Sequence, residues 1–441
     1  MLRRIDLRQG LGNVRALTTM LPRGAVDVSA AVEAVAPLVE DVRKRGSIAV
    51  LDAGEKFDGV RPALLRVPQQ VIDDAVHALR PQVEAALRES IVRARIGHQA
   101  QLPVERVTQI VPGGTVTQRW VPMRRVGLYV PGGLAVYPSS VVMNVVPAQI
   151  AGVAGIAVTS PPQRDTGWPD ATVLAACGLL GVTEVYAAGG AQAVAMLGYG
   201  VVDVDGTGIE AVDLITGPGN VYVTAAKRLL RGIVAIVAEA GPTEIAVLAD
   251  EKADADHVAA DLVSQAEHDP MAASVLITTS IALADAVEDK VINRVVRTRH
   301  RDRVTQALTG SQSAIVVVAS LEDGIKVADA YAAEHLEIQT ADAPIVARRI
   351  SNAGAIFVGR FSPVSLGDYC AGSNHVLPTA GCARFSSGLA TTTFLKQMQV
   401  IEYSRDALAA VADHVLALSA AENLPAHGEA VSARFPTGIP R

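Results

Sequence analysis

The chain has 441 residues, half of them apolar, and a formal net charge of -6 at pH 7. Its length predicts about three structural units, and its acidic balance argues against nucleic acid or an anionic membrane surface as a partner. Three cysteines without CxxC spacing predict a reduced, cytoplasmic compartment, and the chain lacks both a signal-peptide core and an uncharged apolar run of the ~20 residues that span a bilayer.

The N-terminal quarter of the chain is predicted to be mainly helical. The first 25 residues show no regular pattern, and we expect them to form an irregular arm. Helical spacing of apolar residues begins at Val28 and continues to about Ile96. Gly46 is expected to end the first helix, and Pro68 to begin a longer one that continues through Leu87.

Beyond Arg125 the pattern changes to alternating strands and helices. Strands are predicted at 126–130, 155–159, 184–187 and 212–216, then near 244–249, 274–279, 314–318, 336–339 and 354–358. Helices of the second series are predicted near 253–267, 281–297 and 320–332. This alternation favours an α/β fold with two Rossmann-like parallel-sheet domains in tandem. A last helix is expected around 393–419.

Glu334 and His335 stand side by side where a helical pattern ends and a strand pattern begins. Loops of an open α/β sheet usually present working groups, so we expect a candidate active site here. Histidine has an unperturbed pKa near neutrality, and a neighbouring Glu can orient it or act on water. A single Glu-His pair is more often a solvated turn, and the other His- and Asp-bearing segments are what favour catalysis.

Three predicted strand ends carry glycine turns, where backbone N–H groups can approach a phosphate at a helix N-terminus. None has the GxGxxG spacing, so each one alone is better explained as a tight turn. Together with Tyr129, Gln192 and Asn220 on one sheet edge, they predict a nucleotide-binding crevice. The turns are Pro131-Gly132-Gly133, Gly189-Gly190-Ala191-Gln192 and Gly217-Pro218-Gly219-Asn220.

Gln265 and His268 lie three residues apart at the end of a predicted helix, so both are expected on one face. Histidine is a common zinc ligand, whereas Gln is a poor one, and no second His stands at i+4. His268 is therefore a partner of the helix dipole first and a ligand second. With Asp368 and His427 the pair would supply N and O ligands suited to zinc, but spacing alone cannot show that they meet.

Six segments of the chain closely resemble the histidinol dehydrogenase family. The resemblance runs from about residue 30 to the tail that ends at His427, and its motifs are long, ordered and specific. The segments are Val130-Pro-Gly-Gly-Leu-Ala-Val-Tyr-Pro-Ser-Ser, Gly189-Gly-Ala-Gln-Ala-Val, Gly217-Pro-Gly-Asn, Ser264-Gln-Ala-Glu-His-Asp-Pro, Glu334-His-Leu-Glu-Ile and Gly367-Asp-Tyr-Cys-Ala-Gly-Ser-Asn-His-Val-Leu-Pro-Thr.

The resemblance implies a zinc-dependent homodimer, with one zinc per subunit, that oxidises L-histidinol to L-histidine with two NAD. These are the last steps of L-histidine biosynthesis. It implies zinc on Gln265, His268, Asp368 and His427, and NAD at Tyr129, Gln192 and Asn220. Glu422 and His427 would reach over from the partner subunit. The implied substrate-binding residues are Thr243, Gln265, His268, Glu334, His335, Asp368, Glu422 and His427.

Four regions are expected from the pattern and the resemblance together. Residues 1–25 would form the arm, and 26–122 plus 244–378 a discontinuous α/β domain with the catalytic and metal residues. Residues 123–243 would form the Rossmann-like NAD-binding domain. Residues 379–441 would form a C-terminal helical dimerisation tail that swaps between subunits.

The sequence departs from the family pattern at three positions. Thr243 replaces the usual Ser after Gly-Pro, which keeps the hydroxyl and adds a methyl group. Val237 stands where an Asp is common, and Ala333 where a Pro is common. The first departure bears on substrate affinity, and the other two bear on loop rigidity.

Glu334 and His335 can carry the implied chemistry, because oxidising an alcohol to an acid removes two hydrides and adds one water. His335 can take a proton from oxygen in each half, and Glu334 can activate water to attack the aldehyde. The alternatives are a zinc hydrolase that uses Glu334 on water and a non-catalytic nucleotide-binding protein. The latter would have no use for Glu334, His335 and four potential ligands.

Overall fold

The computed structural model describes residues 1–24, 28–132, 136–237 and 241–439. Gly133, in one of the predicted glycine turns, lies outside these residues. Met1–Gln101 with Met123–Phe394 form one compact unit, and Leu102–Pro122 with Leu395–Arg441 form a second. No helix within the described ranges has both the length and the apolar character needed to cross a membrane.

The strands are β1 (Arg3–Asp6), β2 (Arg106–Val111), β3 (Gly114–Pro122), β4 (Arg125–Tyr129), β5 (Gly155–Ser160), β6 (Val185–Ala187), β7 (Val201–Val202), β8 (Gly208–Ile209), β9 (Leu214–Thr216), β10 (Ala235–Ile236), β11 (Glu244–Ala249), β12 (Ala273–Thr278), β13 (Ala314–Val317), β14 (His335–Gln339), β15 (Ala355–Val358) and β16 (Leu395–Tyr403).

The helices are α1 (Val14–Met20), α2 (Val28–Arg45), α3 (Ser47–Phe57), α4 (Gln69–His77), α5 (Pro81–Gln99), α6 (Pro138–Ala151), α7 (Ala171–Leu179), α8 (Gly190–Tyr199), α9 (Val221–Leu230), α10 (Ala255–Ala266), α11 (Ile281–Val295), α12 (Arg301–Thr309), α13 (Leu321–Tyr331), α14 (Ala343–Ala347), α15 (Val364–Tyr369), α16 (Arg405–Ala421) and α17 (Pro425–Ser432).

The larger sheet of the first unit has six parallel strands in the order β1-β13-β12-β11-β14-β15. Alternate side chains of β11 serve its two faces. Ile245 and Val247 belong to a core with α10 and α11, whereas Ala246 and Leu248 belong to a core with α13. Both faces are therefore covered, and each fully buried Val, Leu or Ile contributes about 1.5–3 kcal/mol.

The smaller sheet of the same unit has five parallel strands in the order β10-β9-β4-β5-β6. Helices α2, α8 and α9 share its main hydrophobic core. Since β4, β6 and β9 run in the same direction, their carboxyl ends open on one edge of the sheet. The two sheets confirm the predicted pair of parallel-sheet α/β folds.

Polar side chains begin several helices of the six-stranded sheet. Asp254 accepts a hydrogen bond from Asp256 N at the start of α10, and Ser280 accepts one from Leu283 N at the start of α11. Ser320 does the same for Asp323 N at α13. These caps satisfy backbone donors that have no partner within the helix, which fixes where each crossover begins.

The second unit contains an antiparallel sheet in the order β16-β3-β2. All nine residues of β16 pair with β3, from Leu395 opposite Pro122 to Tyr403 opposite Gly114. Helices α16 and α17 follow, and Ser404 caps α16 by accepting from Ala407 N. The sequence predicted a helix around 393–419, and this is wrong for 395–403, where the full-length pairing with β3 selects a strand.

Two predictions for the N-terminal region are also wrong. Within the arm, β1 adds a parallel edge strand next to β13, and α1 follows it. The helix expected from Pro68 through Leu87 is two helices, α4 and α5, because Pro81 starts a new helix with its fixed φ. The expected four-part domain division and the swap of the tail remain predictions.

Candidate functional site

Glu334 and His335 lie at the amino end of β14, next to the amino end of β11, where Ile245 pairs with His335. The general rule for open α/β sheets places sites at the carboxyl ends of strands. This turn leads from α13 into β14, as the sequence pattern predicted, and is therefore an exception to that rule. The site is built at the opposite edge, where α13 returns to β14 and α10 returns from β11.

Glu334 is buried and accepts two hydrogen bonds at one carboxylate oxygen. The Thr243 hydroxyl donates to Glu334 Oε2 at 2.6 Å, and Glu244 N donates to the same atom at 3.0 Å. Burial nevertheless dominates and raises the pKa of Glu334 to about 7. A carboxyl group with such a pKa can exchange a proton near neutral pH, as a general base requires.

Glu244 and Arg23 form an ion pair beside Glu334 that the sequence did not reveal. Arg23 Nη1 lies 3.0 Å from Glu244 Oε1, and the guanidinium stands 4.5 Å above the Tyr331 ring and donates to the Tyr331 carbonyl. Burial raises the pKa of Glu244 to about 7, opposed by Arg23 and supported by the charge of Glu334. No local motif marks this pair, because 221 positions separate its members.

His335 is oriented with one ring nitrogen towards the backbone and the other unsatisfied. Its Nδ1 lies 3.2 Å from the Glu244 carbonyl, which can only accept, so Nδ1 carries the proton. Among the described residues, the buried Nε2 has no hydrogen-bond partner. Burial lowers the pKa of His335, so the ring is neutral and Nε2 presents a lone pair. Glu334 Oε2 is 3.6 Å from Nδ1, too far for a hydrogen bond.

Gln265 lies in the last turn of α10, and Thr243 fixes its side-chain amide. Gln265 Nε2 donates to the Thr243 hydroxyl at 2.6 Å. Its carbonyl oxygen Oε1 is buried and has no partner among the described residues. A buried amide oxygen without a donor is costly, so this atom is poised for a cation or a donor that arrives with a ligand.

His268 lies in the turn after α10 rather than on the helix itself, and its N–H donates to the Gln265 carbonyl at 3.2 Å. Its Nδ1 is 3.3 Å from the Ser264 carbonyl. A proton on Nδ1 leaves the Nε2 lone pair for a metal, which is the usual orientation of a histidine ligand.

Asp368 belongs to α15 and is half-buried. His375 Nδ1 lies 3.1 Å from its carbonyl oxygen and donates to it. Asp368 and His268 both influence the pKa of Glu334 electrostatically, so these predicted ligands lie near the predicted catalytic pair. Nowhere in the described ranges do three His, Cys, Asp or Glu side chains gather closely enough to hold a metal.

The donor set nevertheless fits zinc. It offers an amide oxygen without a partner, an imidazole Nε2 and a carboxylate, from Gln265, His268 and Asp368. Zinc is bound by N and O donors of this kind, usually four in number. The fourth predicted ligand, His427, is an exposed residue of α17, and the predicted substrate residue Glu422 is an exposed residue at the end of α16.

The predicted NAD residues follow the carboxyl ends of strands in the five-stranded sheet. Tyr129 ends β4, and its buried hydroxyl accepts a hydrogen bond from Gly190 N at 3.1 Å. Gln192 is in the first turn of α8, after β6, with Nε2 3.4 Å from Asp58 Oδ2. Burial raises the pKa of Tyr129 to about 12, so the hydroxyl stays protonated.

Asn220 caps the start of α9, after β9, and its side-chain oxygen is hydrogen-bonded to the backbone of that helix. Its Oδ1 accepts from Tyr222 N and Val223 N at 3.0 and 3.1 Å, which leaves its amide group as the donor for a ligand. Gly217, at φ +103°, has no space for a side chain, since a Cβ would lie 2.0 Å from the Tyr129 carbonyl. The buried Lys227 ammonium donates to the Gly217 carbonyl and braces this turn.

Comparison with known proteins gives one consistent result. A family model described as histidinol dehydrogenase matches residues 21–435. A histidinol dehydrogenase from Nocardia farcinica is 62% identical over 435 residues, covering 98% of each chain. One from Mycolicibacterium smegmatis is 60% identical over 433 residues, covering 98% of this chain and 97% of its own.

A solved structure agrees with these relatives. The crystal structure of histidinol dehydrogenase from Elizabethkingia anophelis superimposes with a TM-score of 0.91 at 31% sequence identity, covering 99% of this chain and 98% of that chain. None of these relatives is described as a hydrolase, so the zinc-hydrolase alternative has no support. The chain belongs to the histidinol dehydrogenase family.

Proposed function

We propose that this protein is an NAD-dependent oxidoreductase that converts L-histidinol to L-histidine through histidinaldehyde. The reaction uses two NAD and one zinc per subunit and forms the last steps of L-histidine biosynthesis. One observation supports it above the others. At the amino end of β14 a neutral histidine with an unpartnered Nε2 adjoins a glutamate with a pKa of about 7.

His335 acts as the base in both halves of the reaction. In the first half, Nε2 accepts the proton of the substrate hydroxyl as a hydride leaves the carbinol carbon, and an aldehyde forms. In the second half, Nε2 accepts a proton from the aldehyde hydrate as its carbon loses a hydride, and the carboxylic acid forms. The Glu244 carbonyl keeps the other nitrogen protonated throughout, which fixes the tautomer.

Glu334 acts between the two hydride losses. Its carboxylate removes a proton from water as the oxygen of that water bonds to the aldehyde carbon. The protonated Nε2 of His335 gives its proton to the aldehyde oxygen, which completes the hydrate and frees Nε2 for the second half. Because burial raises the pKa of this group to about 7, it is a stronger base than an exposed glutamate when ionised. Thr243 and Glu244 N both donate to Oε2, which leaves Oε1 as the oxygen for water.

Gln265, His268 and Asp368 would hold zinc with His427 of the partner subunit. When bound, zinc would supply a Lewis-acidic anchor for the imidazole and amine of the substrate, so that the reacting carbon is fixed. Two observations support this assignment. Gln265 Oε1 has no partner among the described residues, and His268 directs Nδ1 to the Ser264 carbonyl, which leaves Nε2 for the metal. Thr243, Glu422 and the catalytic pair complete the substrate site in the proposal.

NAD is assigned to the carboxyl edge of the five-stranded sheet, at Tyr129, Gln192 and Asn220. Residues 123–243 would be the NAD-binding domain, and 26–122 plus 244–378 the domain with the catalytic and metal residues. The active protein would be a cytoplasmic homodimer in which residues 379–441 exchange. The exposed positions of Glu422 and His427 support this role, since both side chains are available to another subunit.

The decisive experiment combines the purified protein, L-histidinol and NAD, and follows NADH by its absorbance. Two NADH per histidinol consumed, with L-histidine as the product, supports the full proposal. Chelation should abolish turnover and added zinc should restore it, whereas Asp368→Ala should require far more zinc. Absence of NADH with zinc-loaded protein contradicts the proposal.

A further inference from the structure

Glu337 is the second glutamate of the Glu334-His335-Leu336-Glu337-Ile338 motif, and the proposed chemistry does not use it. It lies in the middle of β14, pairs with Val247 and Phe357 on either side, and has no exposed surface. A carboxyl group in such a place costs stability unless its oxygens are satisfied. Its partners therefore show what it does.

The first partner is the start of α15. Glu337 Oε1 accepts a hydrogen bond from Val364 N, the first residue of that helix, at 3.1 Å. Pro363, the capping residue, makes no side-chain cap, so Glu337 supplies the cap from the neighbouring sheet. Asp368 stands four residues after Val364, one turn further along the helix.

The close packing of α15 against the sheet leaves little room for this helix to move. Gly367 lies so close to the Phe357 ring that a Cβ would be 2.6 Å from a ring carbon. The same ring lies 6.0 Å from the His335 ring, centroid to centroid. A small shift of α15 would therefore move Asp368 relative to the catalytic histidine.

The second partner is Asp261 of α10, whose carboxyl group faces Glu337. Glu337 Oε2 has no donor among the described residues, and two carboxylates cannot satisfy each other without a proton between them. Burial and the charge of Asp261 raise the pKa of Glu337 well above its usual value. Burial also raises the pKa of Asp261, but a hydrogen bond from Glu337 and the charges of His257 and Arg294 oppose that rise. Glu337 therefore holds the shared proton.

This pair connects the two helices that carry the proposed ligands. Asp261 is one turn before Gln265 on α10, and Val364 is one turn before Asp368 on α15. We propose that Glu337 is a positioning residue of the zinc site, whose carboxyl group bridges Asp261 and Val364 N and so fixes the distance between Gln265 and Asp368. The inference rests on the proposed function, since it assumes that these residues bind zinc.

The test measures zinc affinity by chelator competition in four full-length variants. Glu337→Gln keeps an acceptor for Val364 N and a donor for Asp261, so its affinity should stay within about threefold of wild type. Glu337→Leu has neither and should bind zinc about 10–100-fold more weakly, the usual cost of removing a group that supports a metal ligand.

Val364 provides a matched pair that leaves the carboxyl groups unchanged. Val364→Pro removes the N–H, and proline is tolerated here because it is the first helical position after an extended Pro363 at φ -67° and ψ 153°. Val364→Ala keeps the N–H and loses only side-chain contacts. Zinc affinity should fall about 10–100-fold in the Pro variant and stay near wild type in the Ala variant.

Each outcome has a distinct meaning. Urea unfolding of the metal-free variants measures their general stability separately. A loss of stability is then not mistaken for a loss of zinc affinity. Wild-type affinity in Glu337→Leu, or equal losses in the Gln and Leu variants, overturns the inference while the proposed function stands. If Glu337→Leu does not fold, equal zinc affinity in the two Val364 variants overturns it. A wild-type protein that binds no zinc overturns both proposals.

Discussion

The Thr243 hydroxyl donates to Glu334 Oε2 at 2.6 Å, and the same hydroxyl oxygen accepts a hydrogen bond from Gln265 Nε2 at 2.6 Å. One oxygen atom therefore sets the orientation of the proposed base and of a proposed zinc ligand. It determines that the amide nitrogen of Gln265 faces Thr243 and that the amide oxygen faces the site. Thr243, one of the three positions where the sequence departs from the family pattern, is thus central to the geometry.

We expect Thr243→Val to weaken zinc binding about 10–100-fold and to slow turnover. Valine has the shape of threonine but offers neither the donor for Glu334 nor the acceptor for Gln265, so the amide can rotate. Thr243→Ser keeps the hydroxyl and is the matched control, with zinc affinity close to wild type. Chelator competition and steady-state assays with histidinol measure both effects. Equal behaviour of the two variants would contradict a role for the hydroxyl.

The parallel sheets were predictable because each strand is a short apolar run followed by a helical pattern. For all five strands predicted between 244 and 358, the predicted bounds lie within two residues of the observed bounds. Strand β16 was missed because its Lys, Gln, Met and Glu residues also suit a helix, and its pairing with β3 decides the outcome. Strand β1 has four residues, too few for a period to show.

The site was predictable as a set of residues and not as a geometry. Motifs named Glu334 and His335, but no local pattern shows that Thr243 donates to Glu334 across 91 positions. The Arg23 to Glu244 ion pair was missed for the same reason. Such contacts are set by which strand ends are neighbours in a sheet, and sequence spacing does not determine strand order.

Replacing the two proposed catalytic residues, Glu334 and His335, should affect the two half-reactions differently. Glu334→Gln keeps an acceptor for Thr243 and Glu244 N but cannot take a proton from water. We expect it to impair oxidation of the aldehyde more than oxidation of the alcohol. His335→Asn should slow both halves by about 10²–10⁴-fold, because a proton leaves oxygen in each.

These effects are measured by single-turnover NADH formation, starting once from histidinol and once from histidinaldehyde. Zinc content must match wild type in both variants, so that loss of metal does not imitate loss of a base. Small and equal losses in both half-reactions for both variants would rule out this division of roles.

The stability of the metal-free protein should depend on pH through Glu334. Its pKa rises on folding from 4.5 to about 7, so the folded state holds a proton that the unfolded state releases. The resulting stabilisation is complete below pH 4.5 and is lost as pH rises through about 7. The free energy of unfolding should therefore decline across this range relative to Glu334→Gln, which cannot ionise.

Urea unfolding at several pH values, with chelator present, measures the difference between wild type and Glu334→Gln. Comparing the two proteins cancels the contributions of titrating groups that do not interact with Glu334. Glu244 does interact with Glu334 and titrates in the same pH range, so the difference measures the two carboxyl groups together. A difference that stays constant between pH 4.5 and about 7 shows that Glu334 is not protonated in the folded protein.

Shared active sites can be tested by mixing two inactive variants. His335→Asn lacks the proposed base, and His427→Ala lacks the ligand that we assign to the partner subunit. If tails exchange, one site of a mixed dimer receives both defects and the other receives none. Random pairing makes about half the dimers mixed, with one intact site in two, so activity near a quarter of wild type is expected.

The alternative arrangement gives a different result. If each site is built from a single chain, every site carries one defect and the co-expressed mixture stays inactive. The control is a variant with both substitutions in one chain, co-expressed with wild type. If sites are shared, each mixed dimer then has two sites with one defect each. That mixture should then retain only the activity of its pure wild-type dimers, about a quarter. Two affinity tags show whether mixed dimers have formed. If they have, and the first mixture still has no activity with zinc in excess, shared sites are excluded.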